Sequence, residues 1–213
     1  EQSIPQTSAK NSDALQTCAE KPRYYGVDAL RGAALIAMVI YHFIYDLYMF
    51  GLVSSAQLYS SVCVIIQMFA GCGFIILSGA SSTFSKSCGK RGVKILAAAM
   101  LVTGVTYVLD SGFFVKFGIL HFLAAASFIY ALLAPSLDRL CKTPAFGIAS
   151  LALFFVSYPI RHAAFDIPHL WILGIKTAEF ASSDYYPILP WIFLYFFGVW
   201  LGNMIKSGRL PAK

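Results

Sequence analysis

Three ionisable side chains interrupt an apolar segment near the start of the chain. Arg31, His42 and Asp46 all lie in ALRGAALIAMVIYHFIYDLYMF, which covers residues 29–50. An imidazole exchanges protons near neutral pH and can act as a general base, and a carboxylate one helical turn away can orient it. A guanidinium binds anions. Because each charge in a bilayer costs free energy, we expect these side chains to have a function.

Ionisable residues also occur at the ends of later apolar segments. Lys116 and His121 lie in FFVKFGILHFL, Asp110 lies shortly before that stretch, and Asp184 lies in SSDYYPILP. Each has an alternative interpretation, as an anchor at a membrane surface or as a hydrogen-bonding partner between helices. Which interpretation applies depends on the elements that carry these residues.

The composition indicates a polytopic membrane protein. Of the 213 residues, 58% are hydrophobic and 12% are charged, which is about half the charged fraction of an ordinary soluble domain. The mean hydropathy is +0.69. The net charge of +6 does not indicate a nucleic-acid partner, because the charges form short clusters between apolar runs and not a basic face interleaved with aromatic residues.

A membrane-spanning helix needs about 20 mostly apolar residues. Six segments qualify or nearly do, at roughly 27–50, 58–82, 93–109, 113–134, 144–160 and 186–205. The residues between them predict a tight turn at 110–112 and a Pro-bounded loop at 134–144. The stretch HLWILGIKTAEF is too short to span and predicts an interfacial or re-entrant segment before the last helix. The predicted fold is an all-α integral membrane protein with about six transmembrane helices.

Lys and Arg residues concentrate in alternate connections. Their clusters lie in the N-terminal tail and first turn, at 86–94, at 139–142 and at 206–213, and the connections between these clusters hold few. Because cytoplasmic loops are enriched in Lys and Arg, both termini are predicted to be cytoplasmic. The predicted organisation is a polar tail at 1–23, a transmembrane domain at 24–206 and a C-terminal tail at 207–213.

Two histidines from different predicted spans fall at one depth. With a rise of about 1.5 Å per residue, His42 lies about 10–12 Å below the outer surface and His121 about 12 Å below it. Asp46 lies one turn nearer that surface. Three further ionisable residues belong to the same outer half of the membrane: Asp110, Lys116 and Asp184. We expect this half to contain a polar cavity, in which Asp110, Lys116 and Asp184 bind substrate.

Cationic residues cluster at the opposite, cytoplasmic end. Asp28 and Arg31 are three residues apart and so share one face of the first helix, and the second connection adds Lys90, Arg91 and Lys94. An ion pair that anchors a helix end is the alternative interpretation of Asp28 and Arg31. The chain therefore carries polar groups at two levels of the membrane.

The motifs resemble a known superfamily. At YYGVDALRGAALIAMVIYHFIYDL the chain resembles transmembrane acyltransferases, in which a first-helix Arg is followed after ten residues by a His, as Arg31 and His42 are here. Three motifs, residues 28–32, KFGILH and DYYPILPW, look like those of bacterial proteins of the heparan-alpha-glucosaminide N-acetyltransferase type. This resemblance covers about residues 24–205. The resemblance implies acyl transfer across a membrane, from cytoplasmic acetyl-CoA to a sugar on the far side. It also implies that His42 is the catalytic base or a transient acyl acceptor and that Arg31 supports the donor.

The residue types fit this chemistry. An amine or hydroxyl that attacks a thioester needs a base, and an imidazole is suited to that role. His42 can act as this base if Asp46 or another neighbour orients its ring. His121, Lys116 and backbone N–H groups near Gly118 are candidate donors to the developing oxyanion. The candidate donor-binding residues, whose cations would pair with the phosphates of CoA, are Asp28, Arg31, Lys90, Arg91 and Lys94.

The predicted function is an acetyltransferase that modifies an envelope glycan or related sugar from a bacterial cytoplasmic membrane. The expected partners are membrane lipid, a CoA donor and a sugar acceptor, and a homo-oligomer is left open. The five cysteines lack disulfide or metal spacing, so we expect free thiols and no metal. A small transporter or proton-coupled channel could use the same cavity, and a non-catalytic membrane subunit is a further alternative. The spacing of Arg31 and His42 favours the enzyme.

Overall fold

The structure is a computed structural model that describes residues 25–85, 87–112, 114–165, 167 and 169–210. This part of the chain is helical and contains two isolated β-bridges but no strand. The helices are α1 (Tyr25–Met49), α2 (Ser55–Leu58), α3 (Ser61–Phe84), α4 (Cys88–Leu109), α5 (Ile119–Leu140), α6 (Pro144–Ser157) and α7 (Ile188–Lys206). A 3-10 turn, Tyr158–His162, extends α6. With that extension, six of these helices are long and apolar enough to cross a membrane, which confirms the predicted fold class.

The fourth membrane-spanning helix lies further toward the C-terminus than the sequence predicts. Residues 134–140, predicted as the start of a loop, continue α5 as far as Leu140 with Pro135 inside the helix, so that part of the prediction was wrong. Proline removes one backbone hydrogen bond from a helix. Beyond the proline, Leu137 is buried and the Tyr130 hydroxyl donates to Asp138 Oδ1 at 3.2 Å, and these contacts stabilise the last part of the helix.

Close packing of α3 against α7 forms the centre of the bundle. A Cβ atom at Gly198 of α7 would overlap the carbonyl oxygen of Ile76, and one at Gly79 of α3 would overlap the carbonyl oxygen of Tyr195. Gly198 and Gly202 have the small-xxx-small spacing that allows close approach of membrane helices. The glycines of α3 predicted close helix packing, which the structure shows. The small-xxx-small motif, however, lies on the partner helix α7.

The outer helices leave a groove between them. α7 packs against α3 and α6, α1 packs mainly against α3, and α4 mainly against α5. Since α1 and α4 rest on different neighbours, the space between them is lined by α3 and α5.

The long connection before α7 is irregular. Its regular elements are the Tyr158–His162 turn and a short 3-10 turn, Trp171–Leu173. Isolated parallel bridges join Phe117 to Tyr185 and Ala164 to Lys176. The first of these ties the connection to the residues that precede α5.

The orientation and the domain limits stay predictions. Lys10, Lys21 and Arg23, which contribute to the predicted cytoplasmic N-terminus, lie outside the described residues, as does the tail at 1–23. Four cysteines are described, Cys63, Cys72, Cys88 and Cys141, and all are free thiols. The end of the bundle that is predicted to face away from the cytoplasm is called the outer end.

Candidate active site

A cavity of about 460 Å³ occupies the outer half of the groove, and we call it the histidine cavity. Residues of α1, α3, α4 and α5 line it, together with two residues of the connection before α7. Four of the ionisable residues predicted from the sequence are among them: His42, Asp46, His121 and Asp184. The shared depth of the two histidines thus corresponds to a shared cavity.

His42 and Asp46 of α1 both line the histidine cavity, but neither side chain holds the other in position. Both side chains are exposed, and the structure shows no hydrogen bond between them. Tyr41, whose ring centroid lies 6.1 Å from that of His42, also lines the cavity. The imidazole nitrogens of His42 are therefore open to a ligand, and Asp46 is near it without orienting its ring.

His121 is held by Thr103 of α4. The side chain is only 7% exposed, and its Nε2 lies 3.2 Å from the Thr103 hydroxyl oxygen. That hydroxyl donates its one hydrogen to the carbonyl oxygen of Val115 at 2.8 Å, so it can only accept from the imidazole. We assign the neutral tautomer with hydrogen on Nε2. Nδ1 has no hydrogen-bond partner among the described residues and keeps a free lone pair.

Asp184 fixes the start of the helix that carries His121. Its Oδ2 accepts the backbone N–H of Ile119 at 2.9 Å, in the first turn of α5. A carboxylate is stabilised at this position by the unpaired N–H groups and the dipole of the helix. Burial raises the pKa of Asp184, while the Ile119 N–H and the nearby His42 act to lower it. Gly118 leaves room for this carboxylate, since a Cβ atom there would overlap it.

Backbone contacts join the connection before α7 to the residues before α5. The N–H of Tyr186 donates to the carbonyl of Phe117 at 2.9 Å, and the N–H of Lys116 donates to the Ser182 hydroxyl at 3.1 Å. The KFGILH and DYYPILPW stretches are therefore adjacent in the fold. Together with Asp184, these bonds set the position of His121 relative to α1.

Two predicted substrate-binding residues do not line the histidine cavity. The Lys116 ammonium lies over the rings of Phe114 and Phe180, 5.5 and 5.2 Å from their centroids. Asp110 accepts the backbone N–H of Gly112 at 2.9 Å and so closes the turn after α4. Both residues lie at the outer end of the bundle, as predicted, but neither lines the histidine cavity.

A second cavity, also of about 460 Å³, lies toward the predicted cytoplasmic end and contains two guanidinium groups. We call it the arginine cavity. Arg31 of α1 donates to the Ser81 hydroxyl at 2.5 Å and to Asp28 Oδ1 at 2.8 Å. Arg91 of α4 donates to the hydroxyls of Ser78 and Ser82 at 2.9 and 3.0 Å. Serines of α3 thus hold two cations from opposite sides of the groove.

The other candidate donor-binding residues lie outside this lining. Lys90 and Lys94 are exposed on α4. Asp28 is exposed too and forms an ion pair with Arg31, which fits the anchoring interpretation of that pair. Arg31 is therefore compatible with both interpretations. It forms the ion pair with Asp28 that would anchor the helix end, and it also lines the arginine cavity, where it could bind the donor.

The two cavities adjoin one another. Phe74 of α3 and Leu120 of α5 line both the histidine cavity and the arginine cavity. Leu120 directly precedes His121 in the chain. Two apolar side chains therefore separate a cationic compartment from one that contains imidazoles and carboxylates.

Some lining residues were not identified from the sequence. Gln67, Tyr41 and Thr106 line the histidine cavity, and Ser78 and Ser81 line the arginine cavity. Gln67 carries the one amide side chain of the apolar run CVIIQMFAG, and this exception was a usable signal. The serines gave little signal, because SGASS also fits ordinary close helix packing.

A model of a known protein family matches most of the chain. The family model described as "Heparan-alpha-glucosaminide N-acetyltransferase, catalytic" matches residues 23–212. No curated protein matches the chain, and no solved structure does. The match covers all six helices that are long enough to cross a membrane.

Proposed function

The chain belongs to the heparan-alpha-glucosaminide N-acetyltransferase catalytic family, and on this premise we propose that it transfers an acetyl group from cytoplasmic acetyl-CoA to an extracytoplasmic sugar. Family membership and six helices of spanning length make it an integral membrane protein of acyltransferase type. The same membership favours acyl transfer over a transporter or a non-catalytic subunit. The donor, the acceptor and the residue roles below are parts of the proposal.

One observation carries it: the histidine and arginine cavities adjoin at Phe74 and Leu120. Transfer across a membrane needs a site for a polyanionic donor on one side and a base on the other. The reacting groups must then meet between these two sites. A bundle with separate cationic and imidazole-containing compartments that share a wall has this arrangement.

We assign the donor phosphates to the arginine cavity. Arg31 and Arg91 present guanidinium groups that form short, charge-assisted hydrogen bonds with phosphate oxygens. Ser78 and Ser81 keep these groups in position through hydrogen bonds of 2.9 and 2.5 Å. The thioester end of the donor would extend past Phe74 and Leu120 toward the histidines.

We assign proton transfer to His42. An amine or hydroxyl of the sugar attacks the thioester carbonyl as His42 accepts its proton, so that a C–N or C–O bond forms. The C–S bond then breaks, and CoA leaves as a thiolate that takes up the proton held by His42, which returns the imidazole to its neutral form. When the nucleophile is an amine, its second N–H donates to the free lone pair on Nδ1 of His121, which aligns it. A hydroxyl gives its one hydrogen to His42, and Nδ1 then accepts from a neighbouring hydroxyl of the sugar. A transient acetyl-imidazole on His42 is the covalent alternative.

Reconstitution in sealed vesicles tests the proposal. Radiolabelled acetyl-CoA is supplied on the side of the C-terminus and glucosamine on the other side, and label in the sugar is counted on each side. We expect labelled sugar only in the compartment that held glucosamine. A folded protein that neither consumes acetyl-CoA nor labels the sugar would overturn the acetyltransferase assignment. Label that appears only when both substrates share one side would overturn transfer across the membrane.

A further inference from the structure

A third cavity, of about 280 Å³, lies at the outer end of the bundle. We call it the outer cavity. The 3-10 turn after α6, the connection before α7 and the first part of α3 line it. It shares Gln67, Ser183 and Asp184 with the histidine cavity. A ligand in the outer cavity would therefore be in direct reach of the site proposed for chemistry.

A guanidinium group is held in the wall of the outer cavity. Its central carbon, Cζ of Arg161, lies 5.0 Å from the ring centroid of Tyr158 and 5.6 Å from that of Trp191. One of its N–H groups donates to the Tyr158 hydroxyl at 2.6 Å. No described carboxylate forms an ion pair with Arg161. The two aromatic rings thus fix the cation, and its remaining N–H groups are available to a ligand.

Two further donors accompany Arg161. The Lys176 ammonium lies 5.6 Å from the ring centroid of Tyr185, and Lys176 lines the cavity. Trp191 also lines it and is only 2% exposed, yet its indole N–H has no hydrogen-bond partner among the described residues. A buried donor without a partner carries a desolvation cost that a ligand oxygen would remove. The lining of the outer cavity is therefore rich in hydrogen-bond donors.

The outer cavity also contains a group of negative charge. Asp184 lines both this cavity and the histidine cavity, so it lies at their boundary, and it accepts the Ile119 N–H. The cavity therefore has cations at Arg161 and Lys176 and a carboxylate next to His42. This polarity would orient a ligand, with a negative group at the cations and a hydroxyl or amine toward the histidines.

We propose that the outer cavity binds an anionic group of the acceptor, such as a carboxylate, sulfate or phosphate on the sugar. Arg161 and Lys176 bind the anion, the Trp191 N–H donates to it, and Gln67 and Ser183 contact the hydroxyl groups of the same sugar. The nucleophile of the acceptor then lies in the histidine cavity. This proposal depends on the proposed function for its use in catalysis, but binding can be measured without turnover.

The test compares a sulfated and an unsubstituted sugar. Glucosamine 6-sulfate and glucosamine are titrated against the purified full chain in nanodiscs, and binding is followed by displacement of radiolabelled glucosamine 6-sulfate. We expect the sulfated sugar to bind at least about tenfold more tightly, as one charge-assisted hydrogen bond allows. Arg161→Gln should remove this preference without changing CoA affinity. Arg139→Gln, a matched change of an exposed arginine at the other end, should leave it intact.

Arg161→Lys and Lys176→Gln are second variants in case Arg161→Gln fails to fold. Arg161→Lys keeps the charge and should retain part of the preference, and Lys176→Gln should reduce it. Equal binding of the two sugars, or a preference that survives all three changes, would overturn the proposal. Arg161-dependent preference in a protein that transfers no acetyl would support the outer cavity and overturn the proposed function instead.

The same anionic chemistry occurs in lipid headgroups, so the lipid is varied. The titration is repeated in nanodiscs of phosphatidylcholine alone and with added phosphatidylglycerol. We expect the affinity for the sulfated sugar to be the same in both. An affinity that falls with phosphatidylglycerol in the wild type but not in Arg161→Gln would assign the outer cavity to a lipid headgroup and overturn its assignment to the acceptor.

Discussion

The hydroxyl oxygen of Thr103 lies 3.2 Å from Nε2 of His121 and gives its own hydrogen to the Val115 carbonyl. A side chain on α4 thereby selects the tautomer of a histidine on α5. Because Thr103 occupies Nε2 as an acceptor, the lone pair of the neutral ring remains on Nδ1. In the proposed reaction this lone pair aligns the attacking group.

Replacing Thr103 tests that role. Thr103→Val keeps the shape of the side chain but removes the acceptor, so the imidazole can take either tautomer and rotate. We expect kcat to fall by about tenfold, which corresponds to one hydrogen bond of about 1.4 kcal/mol, with CoA affinity unchanged. Thr143→Val, on the exposed residue before α6, is the control. A Thr103→Val protein whose kcat and pH profile equal those of the wild type would show that the bond has no catalytic use.

His42→Ala should have the largest effect on the proposed reaction. Loss of a general base lowers turnover by about 10²–10⁴-fold, and CoA binding should persist because the phosphates are assigned to another cavity. If His42 is instead the acyl acceptor, radiolabelled acetyl-CoA alone should label the wild type and not the variant. His169→Asn is the control, since His169 is exposed and has a positive φ of 79°, which Asn tolerates. Wild-type turnover in a folded His42→Ala protein would show that His42 is not the general base, and His121 would become the candidate.

Arg31→Gln should weaken donor binding. A lost hydrogen bond between a cation and a phosphate costs about 1.5–3 kcal/mol, which isothermal titration with CoA can measure. Lys94→Gln should change the affinity less, because the Lys94 side chain lies outside the arginine cavity. If Arg31→Gln binds CoA as tightly as the wild type does, Arg31 has only the structural role given by its contacts with Asp28 and Ser81.

The depth of a residue was predictable from the sequence, because the rise of a helix is constant. His42 and His121 could therefore be assigned to one level, and they line one cavity. The direction of a side chain at that level was not predictable. Lys116 has a suitable depth, but its ammonium lies over the Phe114 and Phe180 rings.

The rotation of each helix about its axis also depends on tertiary packing. Lys90 and Lys94 are four residues apart and share an exposed face of α4, whereas Arg91 is rotated by about 100° from Lys90 and contacts α3. The sequence shows three equivalent cations here. Only the packing of α4 determines that Arg91 lines the cavity. The same limit explains why Thr103 was not identified, since its partner lies on another helix.

The predicted orientation can be tested with engineered thiols. The native Cys88 and Cys141 are buried, so we choose exposed positions in a cysteine-free background. Ala56→Cys and Ala178→Cys should react with a maleimide that cannot cross the membrane, when it is added to intact cells. Lys142→Cys should react only after permeabilisation, because cytoplasmic loops carry the excess of Lys and Arg. The reverse labelling pattern would invert the bundle and place the arginine cavity outside.

Gly198→Val should destabilise the bundle at the contact between α3 and α7. A side chain at this position would overlap the Ile76 carbonyl oxygen, and backbone cannot move aside as a flexible side chain can. Overpacking of this kind costs about 1–3 kcal/mol, and thermal unfolding in detergent should show it as a lower midpoint. Gly104→Val is the matched control in a membrane helix, because a Cβ atom at Gly104 meets nothing within 4 Å. Equal midpoints for the two variants would contradict the close approach of α3 and α7.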